Sequence, residues 1–402
     1  MKNKQDLIFV VCISLIIISV LVWFPINHIL ISTGIKELKQ TDNWKYYEKT
    51  KTSLIGKLDD FIESNKTNLE NRVNNYFPFY QNLTRGFYNL VINTNKLFYK
   101  EDVPIGTNAS NETVFFNTKY NFYYLKTNHQ KIDLDNKVNN QIEFFNSLDN
   151  SLENISLNIY LVSRYEQLNL SDNNLSEYTK IFKDNLNEDI NVSEVKINNY
   201  NDYLQKFYKT DHHWNMYGAY EGYQNIMNML GKKPLDLNLV KVNKVPYYGA
   251  TSKSSMSKLT YDDIYDVGVN LYYEVKVNGM DAPKKFKPRV ITYDNGYDFY
   301  DYYIHYFNGQ YGLVEYTYEN DSNENLLIFS DSNAWQIDYL IASHYHKTYV
   351  INLRYDDYVS GKININDFIK ENNISYVLFL YEGSSIIFDE YNYDFSGKIE
   401  RK

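Results

Sequence analysis

The sequence predicts an α/β domain with a parallel β-sheet, preceded by one N-terminal transmembrane helix. Two observations lead to this prediction. In the C-terminal part, short apolar strands alternate with amphipathic helices, which is the pattern of a parallel sheet whose strands are joined by helical crossovers. At the other end of the chain, Leu7–Phe24 is an uncharged run that is nearly long enough to span a hydrocarbon core of roughly 30 Å.

The predicted membrane segment also has a predicted orientation. Lys2 and Lys4 precede it, and the positive-inside tendency then makes residues 1–6 a cytoplasmic tail and places the later residues outside. A cleaved signal peptide would need small residues near the end of the apolar run, whereas Trp23–His28 is bulky. We therefore expect an uncleaved signal anchor over residues 7–28 and a single-pass protein of the cell membrane with an extracellular domain.

The segment after the anchor is polar and rich in Lys and Asn. Within residues 29–100, Leu54, Leu58, Phe61 and Ile62 have helical spacing. This segment is expected to form a helical stalk or the beginning of the fold, and the sequence leaves both possibilities open. Residues 101–402 then make up the α/β domain.

The elements of this domain follow from hydrophobic periodicity. Strands are predicted where apolar residues alternate or run continuously, and helices where they recur at spacings of three and four. The predicted strands are Thr113–Phe116, Phe122–Leu125, Ile155–Val162, Leu326–Phe329, Thr348–Leu353 and Tyr376–Leu380, and the predicted helices are Tyr217–Leu230, Ala334–His344 and Ile365–Glu371.

Composition excludes several classes of protein. The 402 residues carry 41 Lys and Arg against 50 Asp and Glu, a net charge of −9, whereas a nucleic-acid-binding protein would need a basic surface. The only cysteine, Cys12, lies in the predicted anchor, so the sequence excludes an intramolecular disulfide, a cysteine-based zinc cluster and an iron–sulfur site. No cofactor is predicted, and once the family resemblance given below is added, no metal is predicted either.

Ligands bind at the carboxyl ends of parallel strands, so the residues after Leu326–Phe329 are the first candidates for chemistry. Ser332 would lie on the turn from strand to helix, where backbone N–H groups and the helix dipole can receive an oxyanion. This position favours a nucleophilic serine. Asp331 and Ser332 are also typical of an ordinary helix N-cap, and the residues alone leave both interpretations open.

A second polar cluster, Asp211-His212-His213, precedes the predicted helix at Tyr217. An aspartate two residues before a histidine can orient the imidazole and stabilise its protonated form, as a serine nucleophile requires. The same residues could instead bind a metal together with His344 and His346, or only cap the helix and satisfy buried polar groups. All three interpretations stay open at this point.

Taken together, the two clusters resemble a known family. The stretch Phe207–Tyr220, which contains Asp-His-His-Trp and Gly-Ala, resembles the signature of the DHHW proteins. These are similar to the exported proteins of alginate O-acetylation and, more distantly, to the SGNH hydrolases. Leu326–Trp335 resembles the Gly-Asp-Ser block of the family, Tyr349–Tyr355 its following strand, and Tyr247–Ala250 a further, weak block. The match covers residues 100–385.

This resemblance implies a parallel-sheet SGNH hydrolase-like domain in which the Asp-x-His pair precedes the serine block, a permuted order relative to ordinary SGNH hydrolases. It implies Ser332 as the nucleophile, His213 as the general base and Asp211 as the residue that orients this base. In addition, His212 would support the site, Asn333 and the backbone amides after Ser332 would form the oxyanion site, and Arg354 would bind substrate.

The function that the resemblance implies is transfer of an acyl group, most simply acetyl, to hydroxyls of a cell-surface or secreted polysaccharide. A membrane-bound O-acyltransferase would be the partner that supplies this group. An esterase with the same triad is an alternative, because the two reactions differ in how well the site excludes water.

A third possibility is a catalytically silent glycan-binding or scaffold protein, and it depends on Ser330. The family has glycine at this position, and a backbone that needs glycine would be strained by serine. Separately, the tyrosine-rich stretch Tyr293–Tyr311 offers stacking faces and hydroxyls for sugars, although Tyr is abundant throughout the chain, with 42 residues.

Overall fold

The structure is a computed structural model, and it describes residues 86, 89–90, 92–99, 101–107, 113–126, 131–152, 155–163, 175–243, 245–255, 257–268, 271–282, 303, 307, 311–355, 362–389 and 393–400. The chain divides into two units, Met1–Val91 and Ile92–Lys402, and the elements below belong to the second. The predicted anchor and most of the predicted 29–100 segment lie outside the described residues. Within the described residues, no helix combines the length and the apolar character that crossing a membrane requires.

Strands and helices alternate along much of this unit. The strands are β1 (Asp102–Thr107), β2 (Thr113–Asn117), β3 (Phe122–Lys126), β4 (Ser156–Val162), β5 (Asn191–Glu194), β6 (Leu239–Lys241), β7 (Tyr265–Val267), β8 (Glu274–Val277), β9 (Met280–Asp281), β10 (Leu313–Thr317), β11 (Asn325–Ser330), β12 (Lys347–Ile351), β13 (Ile363–Asn364), β14 (Ile374–Glu382) and β15 (Ile399–Glu400). The helices are α1 (Lys131–Ser151), α2 (Leu175–Asp184), α3 (Tyr200–Lys206), α4 (Met216–Met229), α5 (Ala250–Ser254), α6 (Asp338–Ala342), α7 (Ile365–Glu371), α8 (Gly383–Phe388) and α9 (Phe395–Lys398), and a 3-10 turn, Ser332–Gln336, precedes α6.

The centre of the domain is an eight-stranded sheet in the order β5-β4-β14-β11-β12-β10-β8-β9. Neighbours from β5 to β12 pair in parallel, whereas the pairs from β12 to β9 are antiparallel. The predicted parallel sheet is therefore correct for five strands and wrong for the three at one edge. Asn278 and Gly279, with φ of 50° and 76°, close the β8–β9 hairpin with the left-handed backbone that a tight two-residue turn needs. With four and two residues, β8 and β9 are too short to show an alternation of apolar and polar residues in the sequence.

The central strands are buried on both faces, which is why they have continuous apolar sequences. Along β11, Leu326 and Ile328 belong to the core cluster of α4 and α6, and Leu327 and Phe329 belong to the cluster of α1 and α8. All four side chains are fully buried. The domain is thus a sheet covered by helices on both faces, with β11 at its middle.

The order of the parallel strands bears on the position of the site. Across the sheet the parallel strands follow one another as β12, β11, β14, β4 and β5. If β11 is numbered as the first strand, this is the order 2-1-3-4-5 of flavodoxin-type doubly wound folds. Strands β4 and β5 nevertheless precede β11 in the chain. The segment after β5, which carries Asp211 and His213, therefore also precedes the strand that leads to Ser332.

One predicted helix is wrong in extent. In place of a helix over Ala334–His344, the chain forms the 3-10 turn Ser332–Gln336 and then the short α6. Ile337, with φ of −131°, interrupts the helical path between them. The other predicted strands and helices are present, with ends shifted by at most two residues.

Helix α4 packs tightly on the residue that follows His213. A Cβ added at Gly222 would lie 2.5 Å from Cζ3 of Trp214, which is closer than two carbon atoms can approach. Trp214 is fully buried and cannot move aside without disturbing the core. The packing of α4 therefore determines where the chain before it lies.

We predict that Gly222→Ala destabilises the protein by about 1–3 kcal/mol, the usual cost of overpacking a core. Alanine is intrinsically the better helix former by about 1 kcal/mol, so only the collision with Trp214 produces a loss. Urea unfolding measures the effect. Asn228→Ala, at an exposed position of the same helix, is the control and should be neutral or slightly stabilising. A Gly222→Ala protein as stable as the wild type would show that this contact does not position α4.

Candidate active site

Ser332 is the first residue of the 3-10 turn that follows β11, and Asp331 holds this turn in place. The Oδ1 atom of Asp331 accepts hydrogen bonds from the backbone N–H and the side-chain amide of Asn333, at 2.8 and 3.0 Å. Its Oδ2 atom accepts one from the backbone N–H of Glu382, at 2.8 Å, at the end of β14. Ser332 therefore lies at the carboxyl ends of two neighbouring parallel strands, where such sheets bind ligands.

The loop that carries His213 is docked directly onto this turn. An antiparallel bridge between Phe207 and Trp214 closes the loop. Nε1 of Trp214 then donates to the backbone carbonyl of Asn333 at 3.0 Å, and Nε2 of Gln336 donates to the carbonyl of Trp214 at 2.7 Å. Both bonds are buried, so losing either would leave an unpaired polar group in the core. Trp214 and Gln336 thus bring the two segments together.

The result is a continuous hydrogen-bonded chain through three side chains. Nδ1 of His213 lies 2.6 Å from Oδ1 of Asp211, and Nε2 of His213 lies 2.7 Å from Oγ of Ser332. Asp211 is 3% exposed and His213 is 6% exposed. The structure therefore places Ser332, His213 and Asp211, which the sequence singles out, in contact with one another.

Asp211 is a buried carboxylate with a full set of donors. Its Oδ2 atom accepts hydrogen bonds from the Tyr247 hydroxyl at 2.6 Å and the Ala250 backbone N–H at 2.7 Å, while the backbone N–H of His213 donates to Oδ1. Burial alone would raise the pKa of Asp211, but positive charge on His213 and His212 and these hydrogen bonds hold that pKa well below its usual range. The carboxylate therefore stays ionised and can stabilise a protonated His213.

The loop around Tyr247 is shaped to receive this carboxylate. A Cβ at Gly249 would collide with the side chain of Asp211, so the close approach requires glycine. Asp262 holds Thr210, the residue before Asp211. Its Oδ2 atom accepts hydrogen bonds from the backbone N–H and the hydroxyl of Thr210, at 2.8 and 2.6 Å. Burial raises the pKa of Asp262 to about 6. The weak resemblance at Tyr247–Ala250 is the sequence signal for this support, whereas Asp262 has no signal in the sequence.

Two aromatic rings lie against the His213 imidazole. The His212 ring lies 3.9 Å away at 36°, and the Tyr303 ring lies 3.9 Å away at 13°. Tyr303 is 2% exposed, so this residue of the tyrosine-rich stretch does not present a sugar-stacking face to solvent. Tyr311 is half-buried against the core, and the other tyrosines of the stretch lie outside the described residues.

The remaining predicted site residues have different surroundings. Nδ1 of His212 lies 3.3 Å from Asp211, and its side chain is 30% exposed, so this residue forms the solvent side of the cluster. Asn333 is buried, and its backbone N–H and side-chain amide both donate hydrogen bonds to Asp331. Arg354 is exposed, and its guanidinium donates to the Tyr393 hydroxyl at 2.9 Å. Their oxyanion and substrate-binding roles stay predictions.

Ser330 does not strain the turn. It is the last residue of β11, pairs with Leu380 of β14, and is not among the residues with positive φ. A backbone that only glycine can adopt is therefore not needed here. The Ser330 hydroxyl is buried and has no hydrogen-bond partner among the described residues.

A metal site at the same residues is the competing arrangement. Asp211, His212 and His213 each offer a ligand atom, and these atoms lie within 4.8 Å of one another. Both ring nitrogens of His213 are already engaged, however, so a metal would have to break one of those bonds. Nε2 of His344 lies 2.7 Å from the Tyr223 hydroxyl, and His346 is exposed next to β12. The geometry favours proton transfer over metal binding.

The chemistry available to this arrangement is activation of a hydroxyl. Oγ of Ser332 can give its proton to Nε2 of His213 as it attacks a carbonyl carbon, and Asp211 stabilises the resulting imidazolium. Ser332 also begins its turn, where a backbone N–H has no acceptor within the turn and can receive negative charge.

No protein-family model matches the sequence, and no curated protein matches it either. Solved structures do match the fold. A DHHW family protein from Eubacterium siraeum has a TM-score of 0.56 at 16% identity, over 75% of this chain and 99% of that one. PatB1 of Bacillus cereus with a sulfonyl adduct has a TM-score of 0.55 at 19% identity, over 69% of this chain and 96% of that one. A second PatB1 structure has a TM-score of 0.53 at 18% identity, over 69% and 97%.

At these identities the similarity concerns the fold. The resemblance to DHHW proteins predicted from the sequence motifs is confirmed at this level: the chain has the fold of a DHHW family protein and of PatB1.

Proposed function

We propose that this protein is a membrane-anchored, extracytoplasmic O-acyltransferase that transfers an acyl group, most simply acetyl, to a hydroxyl of a polysaccharide. The hydrogen-bonded chain Asp211–His213–Ser332 is the observation that carries the proposal. Acyl transfer, rather than another reaction of a serine nucleophile, is chosen because the motifs resemble those of the exported alginate O-acetylation proteins. The strain that motivated a catalytically silent scaffold is absent, because Ser330 is an ordinary strand residue.

In the first half-reaction, Ser332 becomes acylated. Its Oγ forms a bond to the acyl carbon of the donor while its proton moves to Nε2 of His213, and the carbonyl oxygen becomes an oxyanion that backbone N–H groups at the start of the turn would stabilise. As the tetrahedral intermediate collapses, the bond to the donor breaks and the leaving group takes the proton from His213. The low pKa of Asp211 keeps a negative charge beside the imidazolium, which balances its charge.

In the second half-reaction, the acyl group passes to the acceptor. A sugar hydroxyl gives its proton to Nε2 of His213 and attacks the acyl carbon, and collapse of this intermediate releases the ester and returns the proton to Ser332. Water in place of the sugar gives hydrolysis by the same steps. The proportion of the two products therefore reports how well the acceptor competes with water.

The chain order and the predicted location fit this proposal. Because β4 and β5 precede β11, we infer a circularly permuted SGNH-like domain in which Asp211 and His213 come before the nucleophile. The predicted anchor at Leu7–Phe24 would hold the domain at the outer face of the cell membrane, near a membrane-bound O-acyltransferase that supplies acyl groups.

The nucleophile is tested by Ser332→Ala in the full chain. We predict that this variant loses at least about 10³-fold in hydrolysis of p-nitrophenyl acetate, because the attacking atom is removed. It should also fail to form a covalent adduct with phenylmethylsulfonyl fluoride, measured by intact mass; PatB1 has been solved with a sulfonyl adduct. The matched control is Ser330→Ala, which removes a buried hydroxyl two residues away that has no hydrogen-bond partner among the described residues, and it should keep both activities. Turnover by Ser332→Ala at the wild-type rate would contradict the assignment.

The charge of Asp211 is tested by the pH dependence of stability. Because its folded pKa is well below the ordinary 3.8, the carboxylate stabilises the protein above about pH 4, and this contribution is lost as the pH falls further. The free energy of unfolding should therefore fall less steeply below pH 4 in Asp211→Asn, and the acetyl-ester rate should drop by roughly 10³–10⁴-fold.

Asp262→Asn is the control, because the pKa of this carboxyl is shifted upward and its contribution to stability depends on pH in the opposite direction. Burial raises the folded pKa of this carboxyl to about 6, so its contribution is present below pH 4 and lost as the pH rises through 6. An Asp211→Asn protein with the same acid limb of stability as the wild type would show that Asp211 is not held as a low-pKa carboxylate.

Transfer and hydrolysis are separated by the product. With an activated acetyl ester as donor, adding a neutral or acidic oligosaccharide should divert acetyl from water to sugar, which mass spectrometry of the oligosaccharide detects. Ser332→Ala should form no acetylated sugar, which excludes spontaneous transfer. Release of free acetate alone, with every acceptor tried, would identify the protein as an esterase.

A further inference from the structure

Tyr303, which lies between β9 and β10 in the chain, packs its aromatic ring against His213, the proposed base. Its ring is stacked on the imidazole of His213, with centroids 3.9 Å apart and planes at 13°. Its hydroxyl donates a hydrogen bond to the backbone carbonyl of Ser332 at 2.8 Å. One side chain therefore contacts both members of the His213–Ser332 pair.

We propose that Tyr303 is a positioning residue for the acyl transfer proposed above, and the inference rests on that function. Its ring fixes the plane of the His213 imidazole and favours the imidazolium that forms when Ser332 attacks. Its hydroxyl fixes the backbone of the nucleophile, so that Oγ of Ser332 stays within hydrogen-bond reach of Nε2.

The ring acts on the charge that appears during the reaction. The face of an aromatic ring carries partial negative charge and attracts a cation placed over it within about 6 Å. A general base gains a proton, and with it a positive charge, as the serine attacks, so this attraction grows towards the transition state and lowers the barrier. Among the described residues, His213 also contacts the Asp211 carboxylate at Nδ1, the Ser332 hydroxyl at Nε2 and the His212 ring.

The ring also restricts motion of the base. The rings of His212 and Tyr303 both have their centroids 3.9 Å from that of His213, so rotation of the imidazole out of its plane would bring it into collision with a neighbouring ring. A half-turn of the imidazole would place carbon atoms where Asp211 and Ser332 need nitrogen. The two ring contacts thus preserve the orientation that proton transfer requires.

The hydroxyl of Tyr303 belongs to a buried network rather than to solvent. Besides donating to Ser332, it accepts a hydrogen bond from Nε2 of Gln336 at 3.3 Å, and the same nitrogen donates to the carbonyl of Trp214. Phe307 and Trp335 pack against the Tyr303 ring, with centroids at 5.0 and 5.9 Å. These contacts hold the Tyr303 ring in place, and a residue that positions others must itself be held in place.

The test compares Tyr303→Leu, Tyr303→Phe and the wild type in the full chain, with p-nitrophenyl acetate turnover and the rate of sulfonyl fluoride labelling of Ser332 as readouts. Tyr303→Leu should lower kcat and the labelling rate by about tenfold, as expected for loss of a desolvated cation–π contact, with KM changed less than about twofold. Tyr303→Phe keeps the ring but lacks the hydroxyl that bonds to the Ser332 carbonyl, so it should restore the part of the loss that is due to the ring. The kcat–KM split and the rescue by Phe are results that a general loss of packing does not produce.

The matched control is Tyr345→Leu. Tyr345 is fully buried but lies next to the start of β12, at the edge of the sheet opposite Ser332. This variant should lose stability without a selective loss of kcat. Equal loss of kcat in both leucine variants, or a Tyr303→Leu protein with wild-type kcat and labelling, would overturn the positioning role.

If Tyr303→Leu does not fold, a fluorinated phenylalanine introduced at position 303 replaces it. Fluorine weakens the charge on the ring face while nearly preserving its volume, so kcat should fall with increasing fluorination relative to Tyr303→Phe. A flat series would overturn the role of the ring. Absence of both turnover and labelling in the wild type would instead refute the proposed function itself.

Discussion

The charge of Asp211 is the constraint on which the rest of the site depends. Burying an isolated carboxylate costs several kcal/mol, and the cost is recovered only when donors surround the charge. Here the donors come from three places: the Tyr247 hydroxyl, the N–H of Ala250, and the ring and backbone of His213. Each must therefore be held at a fixed distance. Gly249 and Asp262 are consequences of this requirement, since one makes room for the carboxylate and the other fixes the chain next to it.

The two halves of the site come from parts of the chain that are 119 residues apart, and their connection is polar although their support is apolar. The core around α4 and β11 provides the stability, because burying aliphatic and aromatic groups is the main favourable contribution to folding. Hydrophobic packing alone does not fix an angle between two loops. The directional bonds from Trp214 to Asn333 and from Gln336 to Trp214 do, and they leave the His213–Ser332 distance little freedom.

The central part of the fold could be predicted from sequence because buried parallel strands have continuous apolar patterns, as at Leu326–Phe329. The edge hairpin β8–β9 could not, since its strands have two to four residues and their order depends on pairing with β10. Among the site residues, Ser332, Asp211 and His213 stand out through their chemistry and spacing. Tyr303 and Asp262 do not: tyrosine is common in this chain, and a lone aspartate shows its role only when folding brings Thr210 to it.

The place of β14 in the sheet has a consequence for when the site can form. β14 lies between β4 and β11, and pairs with both, yet it is synthesised more than 200 residues after β4. Neither the sheet nor the turn that Glu382 ties to Asp331 can close before residue 382 has emerged. Such distant pairing makes folding slow, because a long loop must be closed before any contact compensates for it. Until β14 has been synthesised, the chain therefore carries Asp211, His213 and Ser332 without the sheet geometry that brings the three side chains into hydrogen-bond contact.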